Sequence, residues 1–485
     1  MKNKSIFTRQ NQTLINLFHD AQHPEKVLCI PLDYAKATHV ALCCNGSGTV
    51  LKKAFPVENN PEGMAFLIEV AEGLCRKHHM GREHVFFGGE DCGTFSLNFI
   101  YGLRERGFLV VGVNATDAKG QRDNMQASSD ELDLLGIAKL LINRRGSTAG
   151  GEPGAERALR SLTRHRKSQV RLRTATSNRI HQIVDQLLPG FLDEKLSGIP
   201  PFSEASLYVM EDRFSPAQVA SRQDKALLRQ LKAKGLQNAE TAVGKLKAHA
   251  RQVLAHPPEL TGLLQTSLAS EIQLYRCLGA NIDQVGREIA QQLARTPGAM
   301  LATVRGIGIT LAAGVAAEIG PPDSQPSVRR LGSYAGIVPR TKQTGGPGKG
   351  AKTGKVSRRC NHILKDYIVQ CGNHLGQHGP ADLKEGHRRR GANKQHADFG
   401  MARRFLRMGM RLMKNGEAYV PPGLREGATL GELQAYYLGM WPKLLAKWVK
   451  AGAVHAAFDK ENPLGQWRER IEAIYGIELP LPRKK

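Results

Sequence analysis

The sequence predicts an α/β domain at the front of the chain and a helical region behind it. Three observations carry this reading. Between Val27 and Asn143, short apolar runs alternate with stretches of helical periodicity, in the order strand, strand, strand, helix, strand, helix, strand, helix. A glycine-rich break, GSTAGGEPG, follows at 146–154. From Ala155 onward the pattern is helical and strongly basic.

Taken in order, residues 1–26 are polar and read as a loose leader. VLCIPLDY and THVALCCN are apolar runs joined closely enough for a hairpin, and TVLKKAFPV follows the turn signal NGSG. Pro61 to Lys77 reads as a helix, with Met64, Leu67, Ile68 and Leu74 on one side. HVFFGG is a buried strand that ends at Glu90. Thr94 to Arg106 is an amphipathic helix and FLVVGVNA another buried strand. Ser129 caps a helix whose apolar face is Leu134, Ile137, Ala138 and Leu141. These elements make 27–145 one domain. Residues 155–298 read as a helical or coiled-coil arm, interrupted over Gly190–Pro216, with heptads too irregular to fix an oligomeric state. Met300 to Gly320 reads as two helices joined by Gly306-Ile307-Gly308 within a segment, 299–419, of its own. Residues 420–485 form an extension with Trp441, Trp448 and Trp467 between lysines and arginines. Such aromatics stack on unpaired bases or, more often, close a small helical core.

Composition narrows the partners. The 485 residues carry 69 Lys+Arg against 44 Asp+Glu, a formal charge of +25. That excess favours a polyanion, most simply DNA or RNA, because neutralised phosphates release counterions. No apolar run approaches the ~20 residues that span a bilayer, and the N-terminus lacks the apolar core of a signal peptide. The eight cysteines contain no CxxC pair, and several lie in apolar runs as small hydrophobes. This points to a reducing cytoplasm and away from a structural zinc site.

Four acidic residues stand out in the front domain. Asp33 and Glu90 end apolar strands, where an unpaired carboxylate is costly to bury. Asp130 and Asp133 are three apart on a helix and share a face. Each of that pair taken alone is also explained as a first-turn acid suited to the helix dipole. Together the four make a site for a hard divalent metal, which needs several carboxylate oxygens.

Behind the break, Arg160, Arg164, Arg166, Lys167, Arg171, Arg173 and Arg179 fall on one helix with no acid among them. They form either a solvated face or one that tracks phosphates. The glycines of Gly306-Ile307-Gly308 allow a tight turn, and backbone N–H groups at the next helix start can face a phosphate. This resembles a helix-hairpin-helix, though an ordinary helical hairpin has the same turn.

The run that follows reads SVRRLGSYAGIVPRTKQTGGPGKGAKTGKVSRRCNHILKDYIVQC. GIG, YAGIVPR, the glycine-rich basic loop, VSRRCNHIL and ADFGMARRFLRMGMRLMKNGEAY resemble, in order, the C-terminal domain of the insertion sequence 110 family of DEDD transposases. LDYAKATHVAL, GGEDCG and SSDELDLLGIAKLL resemble the motifs of its N-terminal domain. The resemblance spans most of Val27 to Tyr419. It implies a RuvC-like, RNase H-type fold at the front and DNA cleavage and strand transfer as the activity, guided by a bridge RNA. It also implies a homo-oligomer, a dimer or tetramer, in the bacterial cytoplasm at the nucleoid. Asp33, Glu90, Asp130 and Asp133 would be the acidic tetrad holding a divalent metal, Mg²⁺. The family's nucleophile is a serine just before the loop glycines. Here that position is Thr344, whose β-methyl crowds the attack. Ser357 is the next hydroxyl in line and Ser333 stands nearby. Cys360 replaces a glycine of the family. Lys342, Lys349, Lys352, Lys355, Arg358 and Arg359 surround the loop, as DNA contacts or as a solvated basic loop. Two other functions remain open on sequence: a junction nuclease without a covalent intermediate, and a nucleic-acid-binding relic.

Overall fold

The structure is a computed structural model that describes residues 10–90, 95–122, 129–148, 154–324, 327–342, 352–357, 360–378 and 394–483. The chain divides into two compact units, Met1–Gly154 and Ala155–Lys485.

The first unit is built on a five-stranded sheet in the order β3-β2-β1-β4-β5, from β1 Leu28–Asp33, β2 Thr38–Asn45, β3 Val50–Glu58, β4 Val85–Glu90 and β5 Leu109–Val113. β2 runs antiparallel to β1 and β3, while β1, β4 and β5 are parallel. The parallel strands are continuous apolar runs because both of their faces are covered. Leu28, Ile30 and Leu32 join one core with Met64 and Leu67 of α2 (Pro61–His78) and Leu103 of α3 (Leu97–Glu105). Cys29, Phe86 and Val111 join the opposite core with Leu134, Ile137 and Leu141 of α5 (Asp130–Ile142). Ser129 caps α5 by accepting the Leu132 N–H at 3.3 Å. One expectation is corrected. Residues from Gln10 onward are not a loose leader: α1 (Gln12–Asp20) buries Leu14 and Phe18 in that second core. Asn11 caps it, and its backbone N–H donates to the Arg144 carbonyl at 2.7 Å. A short helix, α4 (Ala115–Lys119), which the apolar pattern does not announce, joins β5 to α5.

In the second unit α6 (Ala155–Leu187) packs along the helix Pro258–Ala294. Leu159 shares a core with Ile289 and Leu293, and Ile180 and Val184 share another with Leu268 and Ile272, so the two helices are antiparallel. At about 1.5 Å per residue, α6 reaches ~50 Å. Five short helices between them close over Phe191, Leu207, Phe214, Leu231 and Leu246. The larger core surrounds the helix Ile309–Ile319, which is buried from Ala312 to its end. The expected helix before Gly306 is instead a 3-10 helix, Pro297–Thr303. It is short and starts on a proline, and Gly298 lies so close to Ala316 that an added Cβ would stand 2.2 Å from the Ala316 methyl. Trp441, Trp448 and Trp467 of the extension are all buried in this core, so none presents a ring for base stacking. No helix among the described residues is long and apolar enough to cross a membrane.

Candidate active site

Strand register decides where the first two acids lie. Leu32 of β1 is paired with Gly89 of β4, so Asp33 and Glu90 are the next residues on adjacent parallel strands. Both sit at the carboxyl end of the sheet, where α/β folds place their ligand sites. The two glycines before Glu90 let the neighbours close in. A Cβ on Gly88 would meet Leu141 of α5 at 2.6 Å, and one on Gly89 would meet the Leu32 carbonyl at 2.3 Å and the Tyr34 ring at 2.5 Å. α5, whose first residue is Asp130, therefore packs tightly on the sheet. Burial raises the Asp33 carboxyl above its ordinary range, the negative charges of Asp130 and Glu90 raise it further, and Arg122 acts the other way. Electrostatically the structure brings Asp33, Glu90 and Asp130 together.

Asp133 behaves differently. It pairs with Arg122, whose side chain is only 9% exposed. Sequence reading missed Arg122, a single basic residue in a polar run. Among the described residues, no three of His, Cys, Asp and Glu converge closely enough to hold a metal ion. The donor chemistry nonetheless fits a hard cation: every candidate atom is a carboxylate oxygen, and the charges of Asp130 and Glu90 both act on Asp33 at one sheet end.

Most of the basic side chains on α6 have partners within the second unit. Arg160 donates to the carbonyls of Ala317 and Glu318 at 2.9 and 3.0 Å. Arg164 makes a two-pronged contact with the Glu318 carboxylate at 2.7 and 2.9 Å. Lys167 pairs with Asp366 at 2.6 Å, Arg173 lies on the Tyr275 ring, and Arg179 grips Glu271 at 2.7 Å. These side chains hold the second unit together, which leaves Arg166 and the exposed Arg171 of the expected phosphate-tracking set.

The C-terminal loop is only partly described. Thr344, Lys349, Arg358 and Arg359 lie outside the described residues. Lys342 and Lys352 pair across a two-stranded sheet, β6 (Pro339–Lys342) with β7 (Lys352–Val356), and Lys355 is in β7. Ser357 follows β7 directly. Asn361 is clasped to the YAG segment. The Asn361 N–H donates to the Tyr334 carbonyl at 2.8 Å, and its side chain donates to the Tyr334 hydroxyl at 3.0 Å. Gly336, at φ +63°, leaves room for Cys360; a Cβ there would meet the thiol at 2.5 Å. The Ser333 hydroxyl donates back to the Arg329 carbonyl at 3.3 Å within its own helix.

Gly306 turns with φ +82°, and Gly308 caps the helix Ile309–Ile319. A lysine from the extension holds this turn. Lys447 Nζ donates to the carbonyls of Ala302, Val304 and Ile307 at 2.7, 3.1 and 2.7 Å. Burial pushes its pKa down to about 8, and the three carbonyl dipoles favour the ammonium form. Lys447→Met therefore leaves three carbonyls without their donor. We expect a loss of about 2 kcal/mol, read as a lower denaturant midpoint at unchanged slope, while the exposed Lys443→Met leaves the midpoint in place. Equal midpoints for the two variants would remove Lys447 from this role.

Two family models match the chain. One, for the DEDD transposases of the IS110 group, covers residues 30–189, and the other, for transposases of the IS116/IS110/IS902 family, covers residues 298–387. Together they span about half of the chain, and each carries one of the two residue sets described above. No curated protein matches it.

Proposed function

The chain belongs to the IS110 family of transposases and is a DNA transposase, and from that premise we propose that it recombines an insertion sequence in two chemical parts. The first is the acidic cluster. We read the front unit as RNase H-like, an assignment favoured by a sheet whose second strand alone is reversed and whose acids lie at the ends of β1 and β4. In this reading Asp33, Glu90, Asp130 and Asp133 hold a divalent cation, Mg²⁺. When bound, that ion supplies positive charge against the negative charge that develops on the scissile phosphate. Arg122 competes with it for Asp133 and keeps that carboxylate compensated in its absence. The observation that carries this reading is the register that sets Asp33 beside Glu90, with the charge of Asp130 near enough to raise the Asp33 carboxyl.

The second part is a hydroxyl. Thr344 is our first assignment and Ser357 our second. The threonine oxygen forms a bond to phosphorus while a deoxyribose oxygen leaves and takes up a proton, so the chain is joined covalently to DNA. Lys342, Lys349, Lys352, Lys355, Arg358 and Arg359 neutralise the phosphates around it, with the Gly306–Gly308 turn, as a helix-hairpin-helix, adding backbone donors. We read 155–298 as the arm, 299–419 as the domain that carries the hydroxyl and 420–485 as an extension. The protein acts as a homo-oligomer at the nucleoid with a structured RNA that selects its sites, a reading supported by the family and by the charge of +25.

A suicide DNA substrate tests the scheme. Wild-type protein is expected to accumulate a covalent adduct, and Thr344→Ala to lose it by at least about 100-fold. An adduct that persists in Thr344→Ala and maps to Ser357 moves the nucleophile. Hydrolysed ends with no adduct would establish a nuclease that needs no second nucleophile.

A further inference from the structure

The second unit contains a cavity of about 770 Å³ that shares only Gly306 with the DNA-contact set named above. One side is the hairpin turn and His378; the other is the helix Leu430–Lys450. Its lining is chemically two-sided. Arg305, His378, Lys443 and Lys447 supply nitrogen-bearing side chains, and among the described residues no Asp or Glu lines it. Tyr436 and Met440 supply a flat, polarisable wall. The Tyr436 hydroxyl donates to the Tyr419 carbonyl, which ties that ring in place. Lys447 is turned to the hairpin carbonyls, so Arg305 and Lys443, both exposed, are the cations that face an incoming group. The volume lies within the range of natural ligand pockets, roughly 300–1,000 Å³.

An anion with an attached apolar plane satisfies both sides at once. A bare phosphate would leave the aromatic wall bare, and an apolar ligand would leave the cations without a partner. We propose that this cavity takes one unpaired nucleotide of a nucleic-acid strand, with its base against Tyr436 and Met440 and its phosphate against Arg305 and Lys443. The proposal rests on the reading that the chain handles DNA and adds a site that the family segments only half build, since Arg305 and His378 lie within 298–387 and the helix Leu430–Lys450 lies beyond both. The shared chemistry is a nucleotide free of its pairing partner, from a displaced DNA strand or from RNA.

Gly439 provides the test. It lines the cavity, and nothing lies within 4 Å of where its Cβ would stand. Gly439→Phe therefore has room at its Cβ to project a ring into the space, and it removes a glycine from a helix interior, which favours the helix; a melting curve beside wild type checks that it folds. The full chain is titrated with fluorescent eight-residue oligo-dT, with oligo-U of the same length and with a blunt duplex. Gly439→Phe and Lys443→Glu are expected to weaken at least one of the single strands about tenfold, with duplex affinity unchanged for Gly439→Phe. Oligonucleotides carrying 5-iodouracil are expected to photo-crosslink to the peptide that contains Tyr436. The preferred sugar identifies the source of the nucleotide. Single-strand binding equal to wild type in both variants, or crosslinks that all map elsewhere, overturns the cavity while duplex binding leaves the DNA-handling reading intact. A wild-type chain that binds neither duplex nor single strand overturns both.

Discussion

Asp33→Asn is expected to lower DNA strand cleavage by at least about 1000-fold and, in the same protein, to raise the unfolding temperature measured without divalent metal. Both effects follow from one arrangement. Asp33 is half-buried at the end of β1, beside Glu90, and burial and the charges of Asp130 and Glu90 all raise its carboxyl above the ordinary range. The sign is then fixed. A carboxyl whose folded-state pKa is raised contributes stability at acid pH, below its unfolded value, and loses that contribution as pH rises through the folded value. At neutral pH the charged form is a burden on the metal-free fold. Asparagine keeps the shape of the protonated acid and removes the repulsion, yet cannot serve as an anionic ligand. Wild-type protein is therefore expected to gain thermal stability on adding Mg²⁺, and the variant to gain little. Melting curves with and without the ion check this beside a cleavage assay. A variant that melts below wild type without metal, or that cleaves at the wild-type rate, would remove Asp33 from the cluster. Functional sites are commonly places where stability has been sacrificed in this way.

Much of the front unit is legible in the sequence because β1 and β4 are buried on both faces and so appear as unbroken apolar runs. Asp33 and Glu90 are conspicuous for the same reason: a carboxylate closes each run. α1 is harder to see, since only Leu14 and Phe18, one turn apart, mark its buried side among polar neighbours. The partners of the basic helix are invisible to any local reading. Arg164 meets Glu318 and Lys167 meets Asp366 across separations of 154 and 199 residues, so a row of positive charges looks solvated until the fold supplies the acids. Arg122 and Lys447 are hidden likewise. Nothing in QRDN or KLLAKWVK distinguishes a buried cation from a surface one, and each acquires its role from groups that tertiary packing brings to it.

Glu318→Ala is the substitution expected to destabilise the second unit most. The Glu318 side chain is fully buried on the otherwise apolar helix Ile309–Ile319. It accepts both prongs of Arg164 at 2.7 and 2.9 Å and the Asn361 amide at 2.7 Å. Asn361 in turn caps the helix His362–His378 by accepting the Leu364 N–H at 3.0 Å and is clasped to Tyr334. One carboxylate thus ties α6 to Asn361 at the start of the helix His362–His378. Removing it takes one acceptor from Arg164 and from Asn361 and leaves a void, at a cost of about 3 kcal/mol, toward the low end for a broken buried pair because the half-exposed Arg164 still reaches water. Burial raises the carboxyl, but the hydrogen bonds from Arg164 and Asn361 and the charges of Arg164 and Arg160 outweigh it and hold the pKa below the ordinary value. Its contribution is therefore present above the unfolded value of about 4.5 and lost as pH falls through the folded value. Urea midpoints of wild type and Glu318→Gln should differ at neutral pH and draw together in acid. A gap that stays constant from neutral pH into acid would mean that the carboxylate charge is not what binds these elements. The same variant decides the role of the basic helix. If Arg164 served chiefly to contact phosphate, Glu318→Ala would release it and tighten DNA binding. The packing described here predicts affinity that is unchanged or weaker, and a clear gain would restore α6 as a phosphate-tracking face.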